Sequence, residues 1–279
     1  MKNLIFIIFL FSEISLYAVV SVPFLIEEWN IENAGTGDSV IFKLFENRNY
    51  VYLSYIQKWN LINYNSGVIG YSLKNFGNIQ AGLYFQTQDD FIEISKEGVA
   101  LNNYKIYDLG ISLGYSRSII SKFISGLKIK YIKSVLYELT GQSKALDVLM
   151  KYSFSEKLAF NLSIENMGLG IKFKSGKENN PLPTVFKFGA NLLDLNNNLN
   201  LYFNFRYYIY ETFQIGAGFK FKLSNYLSLF VGYKYLKDSD FYGFSLGGEL
   251  NYKNFEILYA FLPGEILGNV NKIGLKIEF

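Results

Sequence analysis

The chain ends IGLKIEF, Ile273 to Phe279. Successive side chains of an extended strand point to opposite faces. Ile273, Leu275, Ile277 and Phe279 therefore share one face, and Gly274, Lys276 and Glu278 share the other. One heptapeptide of this kind fits a soluble sheet as well as a membrane strand. Recurrence of the pattern decides between them.

The pattern recurs along the whole length. In FQIGAGFKFKL, from 213, Phe213, Ile215, Ala217, Phe219 and Phe221 face Gln214, Gly216, Gly218, Lys220 and Lys222. The same alternation runs through YDLGISLGY from 107, LDVLMKYSF from 146, LAFNLSIEN from 158, FKFGANL from 186 and LYFNFRY from 201. It continues in YLSLFVGYKYL from 226, FSLGGEL from 244 and FEILYAF from 255. The apolar row of each holds no Asp, Glu, Lys or Arg, although 18% of the chain is charged. The opposite row is rich in Gly, Ser and Asn with scattered charges, which suits a crowded lumen. Segments near ten residues match the length a tilted strand needs to cross a bilayer. Aromatics reach 18% while mean hydropathy is only +0.11, which fits alternating strands better than apolar helices. A soluble secreted β-sandwich also alternates, inward apolar and outward polar, and stands as the alternative.

The start, MKNLIFIIFLFSEISLYA, places one Lys before an apolar run and ends on a small residue. That layout reads as a signal peptide over 1–18. Its removal takes away Lys2 and Glu13, so the net charge of +3 is unchanged. So small a charge argues against a nucleic-acid partner. There is no Cys, hence neither a disulfide framework nor an N-terminal lipidated cysteine.

In lipid every backbone N–H and C=O must be paired within the protein, so spanning strands require a closed sheet. The expected fold class is an all-β, closed antiparallel transmembrane barrel of about fourteen strands. The strands are placed near 50–59, 67–74, 79–88, 105–115, 123–135, 145–154, 158–172, 185–193, 200–210, 212–223, 226–236, 243–251, 255–262 and 270–279. A fifteenth candidate, 39–46, is set aside because single-chain barrels have even counts. It joins 19–49, a short hatch-like segment at or in the periplasmic mouth, ahead of a barrel over 50–279. Short links at 74–78, 116–122, 154–157, 223–226 and 251–254 alternate with longer ones at 87–104, 136–144, 174–184 and 262–270. Aromatics such as Trp59, Tyr115, Tyr131, Tyr152, Tyr207, Tyr235 and Tyr259 are expected as interface girdles.

The C-terminal Lys272, Gly274, Ile277 and Phe279 resemble the sorting signal that barrel-assembly machinery reads on outer-membrane proteins. From about 67 onward the chain resembles the PorV/PorQ-type outer-membrane family, relatives of FadL-like fourteen-stranded barrels. The resemblance rests on YDLGISLGYSRSI (107–119), ISGLKIKYIKSVL (124–136), ALDVLMKYSF (145–154), LSIENMGLGIKF (162–173), NPLPTVFKFGA (180–190) and LYAFLPGEILGNVNKIGLKIEF (258–279). The family usually opens with a Gly/Ala-rich hatch and an Asn-Pro-Ala-Gly stretch. Here only Gly35, Gly37 and Asp38 keep that flavour. The resemblance implies the outer membrane of a diderm bacterium, outer-membrane lipid as partner, and one of two roles. One is FadL-like passage of hydrophobic small molecules such as fatty acids. The other is a PorV-like scaffold or shuttle for secreted proteins.

Without His and Cys, the Ser-His-Asp, Cys-His and common zinc sites are absent. A two-carboxylate site would draw on Asp108, Asp147, Glu165, Glu249 and Glu256. The lumen row also carries Lys128, Lys130, Lys151, Lys187, Arg206, Lys220 and Lys234, so a bracing network of ion pairs is the favoured reading. No catalytic residue, metal or cofactor is expected. Gly216-Ala217-Gly218 lies mid-strand with no helix after it and is no dinucleotide loop. Gly170 to Lys177 has the wrong spacing for a phosphate loop. Tyr84, Ile132, Leu149, Tyr202, Phe230 and Leu258 are apolar members of the lumen row that could line a pocket.

Overall fold

The computed structural model describes residues 23–88, 91–94, 100–104, 106–137, 139–173, 180–209, 212–236, 243–264 and 268–279. The signal peptide expected over 1–18, and parts of the expected links 87–104, 174–184 and 262–270, lie outside the described residues. Among the described residues no helix is long and apolar enough to cross a membrane.

Fourteen long strands form one antiparallel sheet. They are β1 (Tyr50–Lys58), β2 (Ile62–Leu73), β3 (Gly77–Gln88), β4 (Ile106–Ile120), β5 (Phe123–Leu136), β6 (Leu139–Ser153) and β7 (Leu158–Gly168). Then follow β8 (Val185–Leu195), β9 (Leu199–Tyr208), β10 (Phe213–Lys222), β11 (Leu227–Leu236), β12 (Gly243–Tyr252), β13 (Phe255–Leu262) and β14 (Val270–Glu278). Each pairs with its sequence neighbours, and β14 pairs with β1, from Tyr50 opposite Glu278 to Lys58 opposite Val270. That last pairing removes both sheet edges and closes the barrel. A short strand, Lys172–Phe173, adds to β6, and Phe91–Ile94 pairs with Ala100–Tyr104 as a separate hairpin.

The expected strands are all present, with differences at their ends. The second starts at Ile62 rather than 67, and the fourth runs on to Ile120, which leaves the 116–122 link only two residues. The expected long link 136–144 is instead paired strand, since β5 and β6 stay in register to Leu136 opposite Leu139. Polar residues misled there: Thr140, Gln142 and Lys144 belong to one row of a strand rather than to a loop. The seventh strand stops at Gly168 instead of 172. The 39–46 segment joins no sheet and contains only a 3-10 turn over Lys43–Phe45.

Tight turns follow local chemistry. Trp59 (φ 59°) and Asn60 (φ 57°) both take left-handed backbone, and Leu61 N donates to Lys58 O. Two successive positive φ values match the twist of the flanking strands, and Leu61 completes the three-residue link from Lys58 to its partner Ile62. Asn196 and Asn197 repeat it between β8 and β9, where asparagine tolerates that region better than most side chains.

The faces sort as the alternation demands. Ile79, Leu83, Ile111, Leu113, Leu127 and Ile129 are exposed on the outside of β3, β4 and β5, and the register sets Ala81, Leu113 and Ile129 side by side. Gln80, Ser112, Gly114 and Ser116, between them in sequence, point inward and are buried. Continuous apolar surface of this extent facing out is unfavourable in water and favourable in hydrocarbon. A soluble sandwich would turn these rows toward one another, and it does not describe this chain. Tyr115, Tyr152, Tyr226 and Tyr252 cluster at the end carrying the barrel's two termini. Tyr55, Tyr233, Tyr235 and Tyr259 lie toward the opposite end, all exposed. Tyr131 and Tyr207 are half-buried on the same outward row, and Trp59 sits in the β1–β2 turn.

The inside is not empty. Residues 23–49 fold into the lumen as a plug that reaches mid-wall. Its α-helical stretch, α1 (Ile31–Gly35), is capped by Asn30, whose side-chain oxygen accepts from Glu32 N at 3.1 Å. Ile31 and Ala34 are fully buried, with Ile31 in the cluster that holds Phe24, Tyr52, Ile132, Phe230 and Leu258.

Candidate functional site

The plug's seat is built from glycine. Gly216 and Gly218 of β10 and Gly232 of β11 belong to the lumen row, and any Cβ there would strike the backbone of Thr36 or Gly37. Gly37 itself takes φ 71°, in the left-handed region that favours glycine. The 36–38 turn therefore rests directly on the wall. Asn204 Nδ2 donates to Gly37 O at 2.8 Å, and Ser245 Oγ donates to Gly35 O at 3.0 Å. The mid-strand Gly216-Ala217-Gly218 run thus has a packing role.

Charge does the rest. Asp38 accepts from Lys234 Nζ at 2.9 Å and from Gln214 Nε2 at 3.0 Å. Arg206, 1% exposed, donates to Asp38 O at 2.6 Å and to Glu28 at 2.7 Å. Lys272 and Lys58 both pair with Glu27. Lys220 bridges Glu32 at 3.2 Å and Glu249 at 2.8 Å. Lys276 pairs with Glu46 at 2.7 Å. Buried charges need partners of this kind. Wall bases meeting plug acids thus hold the plug as a unit.

The expected lumen residues divide accordingly. Lys130 with Asp147 (2.7 Å) and Lys187 with Glu165 (3.0 Å) are wall-to-wall pairs, as a bracing network requires. Lys220 and Glu249 pair and also engage the plug; Arg206 and Lys234 serve the plug. Asp108, Lys128 and Lys151 enter no ion pair among the described residues. Glu256 lies 3.7 Å from Lys276 and, with Glu32 and Glu249, forms a carboxylate group whose positive charge is supplied by Lys220. Of the C-terminal signal residues, Lys272 and Gly274 face the lumen, Ile277 lies on the outward row, and Phe279 is exposed at the barrel end.

Sequence reasoning missed the plug acids Glu27, Glu28, Glu32, Asp38 and Glu46. A signal was there. The lumen row holds more bases than acids, and the compensating carboxylates crowd into EEWNIENAGTGD, residues 27–38.

Between the plug and the wall of β1 to β9 lies a cavity of about 150 Å³. Trp29, Val40 and Leu44 of the plug and Val68, Tyr84, Ile132 and Leu149 of the wall give it apolar surface. Trp29 meets Tyr64 and Tyr84 edge-on, at ring distances of 5.6 and 5.2 Å. Of the apolar lumen-row residues, Tyr84, Ile132 and Leu149 line this space. Tyr202, Phe230 and Leu258 instead pack under the plug, with Tyr202 OH donating to Glu32 and Phe230 against Gly35. One side of the cavity is polar: Lys128, Lys130, Asp147, Glu165 and Lys187. Beside it β7 carries a bulge, where Asn166 (φ 62°) donates its N–H to Asp147 at 2.8 Å. Glu165 already lies on the lumen row, and the extra residue turns Asn166 inward beside it.

The fold is shared with known barrels. The P. putida toluene transporter TodX aligns with a TM-score of 0.63 at 11% identity, over 91% of this chain and 99% of that one. A Pseudomonas aeruginosa FadL homologue aligns at 0.60 and 9% identity, over 91% and 99%. The CymD monoaromatic hydrocarbon channel aligns at 0.57 and 10% identity, over 84% and 89%. No family model matches the chain, and neither does any curated protein. The finer resemblance to the PorV/PorQ-type family therefore has no match behind it, while the FadL-like barrel fold does.

Proposed function

We propose that this protein is an outer-membrane channel of a diderm bacterium that admits hydrophobic small molecules. The observation that carries the reading is the cavity between a wall-anchored plug and a closed barrel, aromatic and aliphatic on one part of its lining and charged on another. Ligand sites are concave and mostly apolar with a few placed polar groups, and Trp29, Tyr84, Ile132 and Leu149 beside Lys128 fit that description. The outward apolar belt supports residence in a bilayer. The fold shared with a toluene transporter and a monoaromatic hydrocarbon channel supports this class of cargo. The reading involves no catalysis. The scaffold alternative has no observation of its own.

Proteoliposomes holding the purified chain test it. Uptake of radiolabelled toluene and of a medium-chain fatty acid should exceed that of protein-free vesicles and should saturate. Uptake equal to the protein-free control for both cargoes would refute a channel for hydrophobic molecules.

A further inference from the structure

The charge pattern of the cavity is unbalanced at one position. Lys130 is neutralised by Asp147, Lys187 by Glu165, Arg206 by Glu28 and Lys43 by Glu46 at 3.1 Å. Glu27 is held by Lys58 and Lys272. Lys128 lines the same cavity, and no carboxylate of a described residue lies within 4.0 Å of its ammonium. Asp147 stands across the ladder from Lys128 but is held by Lys130, so Lys128, Lys130 and Lys187 share only the two carboxylates Asp147 and Glu165. A half-buried surplus ammonium of this kind favours an anion beside it, because Coulomb attraction strengthens away from bulk water. Size narrows the choice further. An apolar protein cavity of about 150 Å³ holds one benzene ring, and this one measures about 150 Å³. Trp29, Tyr84, Ile132 and Leu149 supply apolar and aromatic surface to the same cavity.

We propose that the cavity is a binding site for a compact aromatic carboxylate, with the ring on the Trp29–Tyr84 side and the carboxylate on Lys128. The inference rests on the channel reading and sharpens it from hydrophobic molecules in general to a singly charged monoaromatic acid. Lys128 is its specificity residue. The neighbouring lysines cannot replace it, since each is already held by a carboxylate and Lys130 also donates to Asn166 at 2.7 Å.

The experiment is calorimetric titration of the full, detergent-solubilised chain with benzoate, benzamide and toluene. It compares the native protein, Lys128→Met, Lys128→Arg and a control, Lys222→Met, at an exposed strand end outside the cavity. Native protein should bind benzoate more tightly than the isosteric neutral amide, with affinity that falls as salt rises. Lys128→Met should weaken benzoate by at least about tenfold, the scale of one charge-assisted contact, and leave toluene nearly unchanged. Lys128→Arg should retain the preference, and Lys222→Met should behave as native. Toluene or benzamide binding as tightly as benzoate to native protein would overturn the carboxylate assignment and leave the channel reading intact. The benzoate–benzamide comparison needs no variant, so it decides even if Lys128→Met fails to fold. Binding of none of the three to a folded barrel would overturn the site assignment, while the uptake assay decides the channel reading separately.

Discussion

Lys234 of β11 holds Asp38 of the plug at 2.9 Å, across 196 positions of sequence. The contact joins two parts of the chain that alternation describes separately. A wall of strands supplies the base, and a segment without strand pattern supplies the acid. The acid end is nearly buried and the base end about a quarter exposed.

Removing one partner should therefore cost more than removing a surface pair. Lys234→Met leaves Asp38 in place with only Gln214 on its carboxylate. Breaking a buried pair typically costs about 3–5 kcal/mol, so about 3 kcal/mol is expected here for the plug's docking. Limited proteolysis of residues 23–49 should accelerate while the barrel keeps its heat-modifiable gel mobility. The double variant Lys234→Met with Asp38→Asn should recover part of the loss.

The glycine seat makes a second, steric prediction. Gly232→Leu places a side chain where the Gly37 backbone lies. The barrel should still close, because the substitution faces the lumen and leaves the ladder intact. The plug should not seat, and single-channel conductance should rise well above native. Leu at Gly243, where a Cβ meets nothing within 4 Å, is the control.

Most of the wall was legible from sequence and the plug was not, for a physical reason. A strand's period of two survives in any stretch such as Phe213–Lys222, because the two faces see different solvents. The plug sees wall on every side, so Glu28, Ile31, Asp38 and Leu44 are all buried or nearly so with no repeat to betray them. Only the surplus of lumen bases pointed to it. The bulge at Asn166 was hidden likewise, since one extra residue erases the period locally.

A charge on the outward row tests the direction that the strands face. Leu113→Arg, on the outside of β4, should destabilise the folded protein in bilayers by roughly 2–4 kcal/mol, the cost of a base near the midplane. Urea titration in lipid vesicles reads this directly. Lys222→Gln, at a strand end, should change stability far less.

Acid should loosen the plug only at the extreme. Burial alone would raise the carboxyls of Glu27 and Asp38. Lys272 and Lys58 beside Glu27, and Lys234 and Arg206 beside Asp38, overcome it and hold both well below the usual range. Groups with lowered folded values contribute stability that is fully present above the ordinary carboxyl range, about 4, and is lost as pH falls through the folded values. Hydrogen-exchange protection of the plug, corrected for the intrinsic pH dependence of exchange, should therefore stay constant from neutrality to about pH 4 and decline only below it. Loss of protection between pH 7 and 5 would contradict these ion pairs.

The account's central claim is that the apolar rows face hydrocarbon and the polar rows enclose a plugged lumen. The chain has no cysteine, so single cysteines at 111, 112, 113, 114 and 115 can carry nitroxide labels one at a time in bilayers. Labels at 111, 113 and 115 should respond to membrane-dissolved oxygen, and those at 112 and 114 should not. Loss of that period of two, with all five positions equally open to a water-soluble relaxer, would contradict the claim.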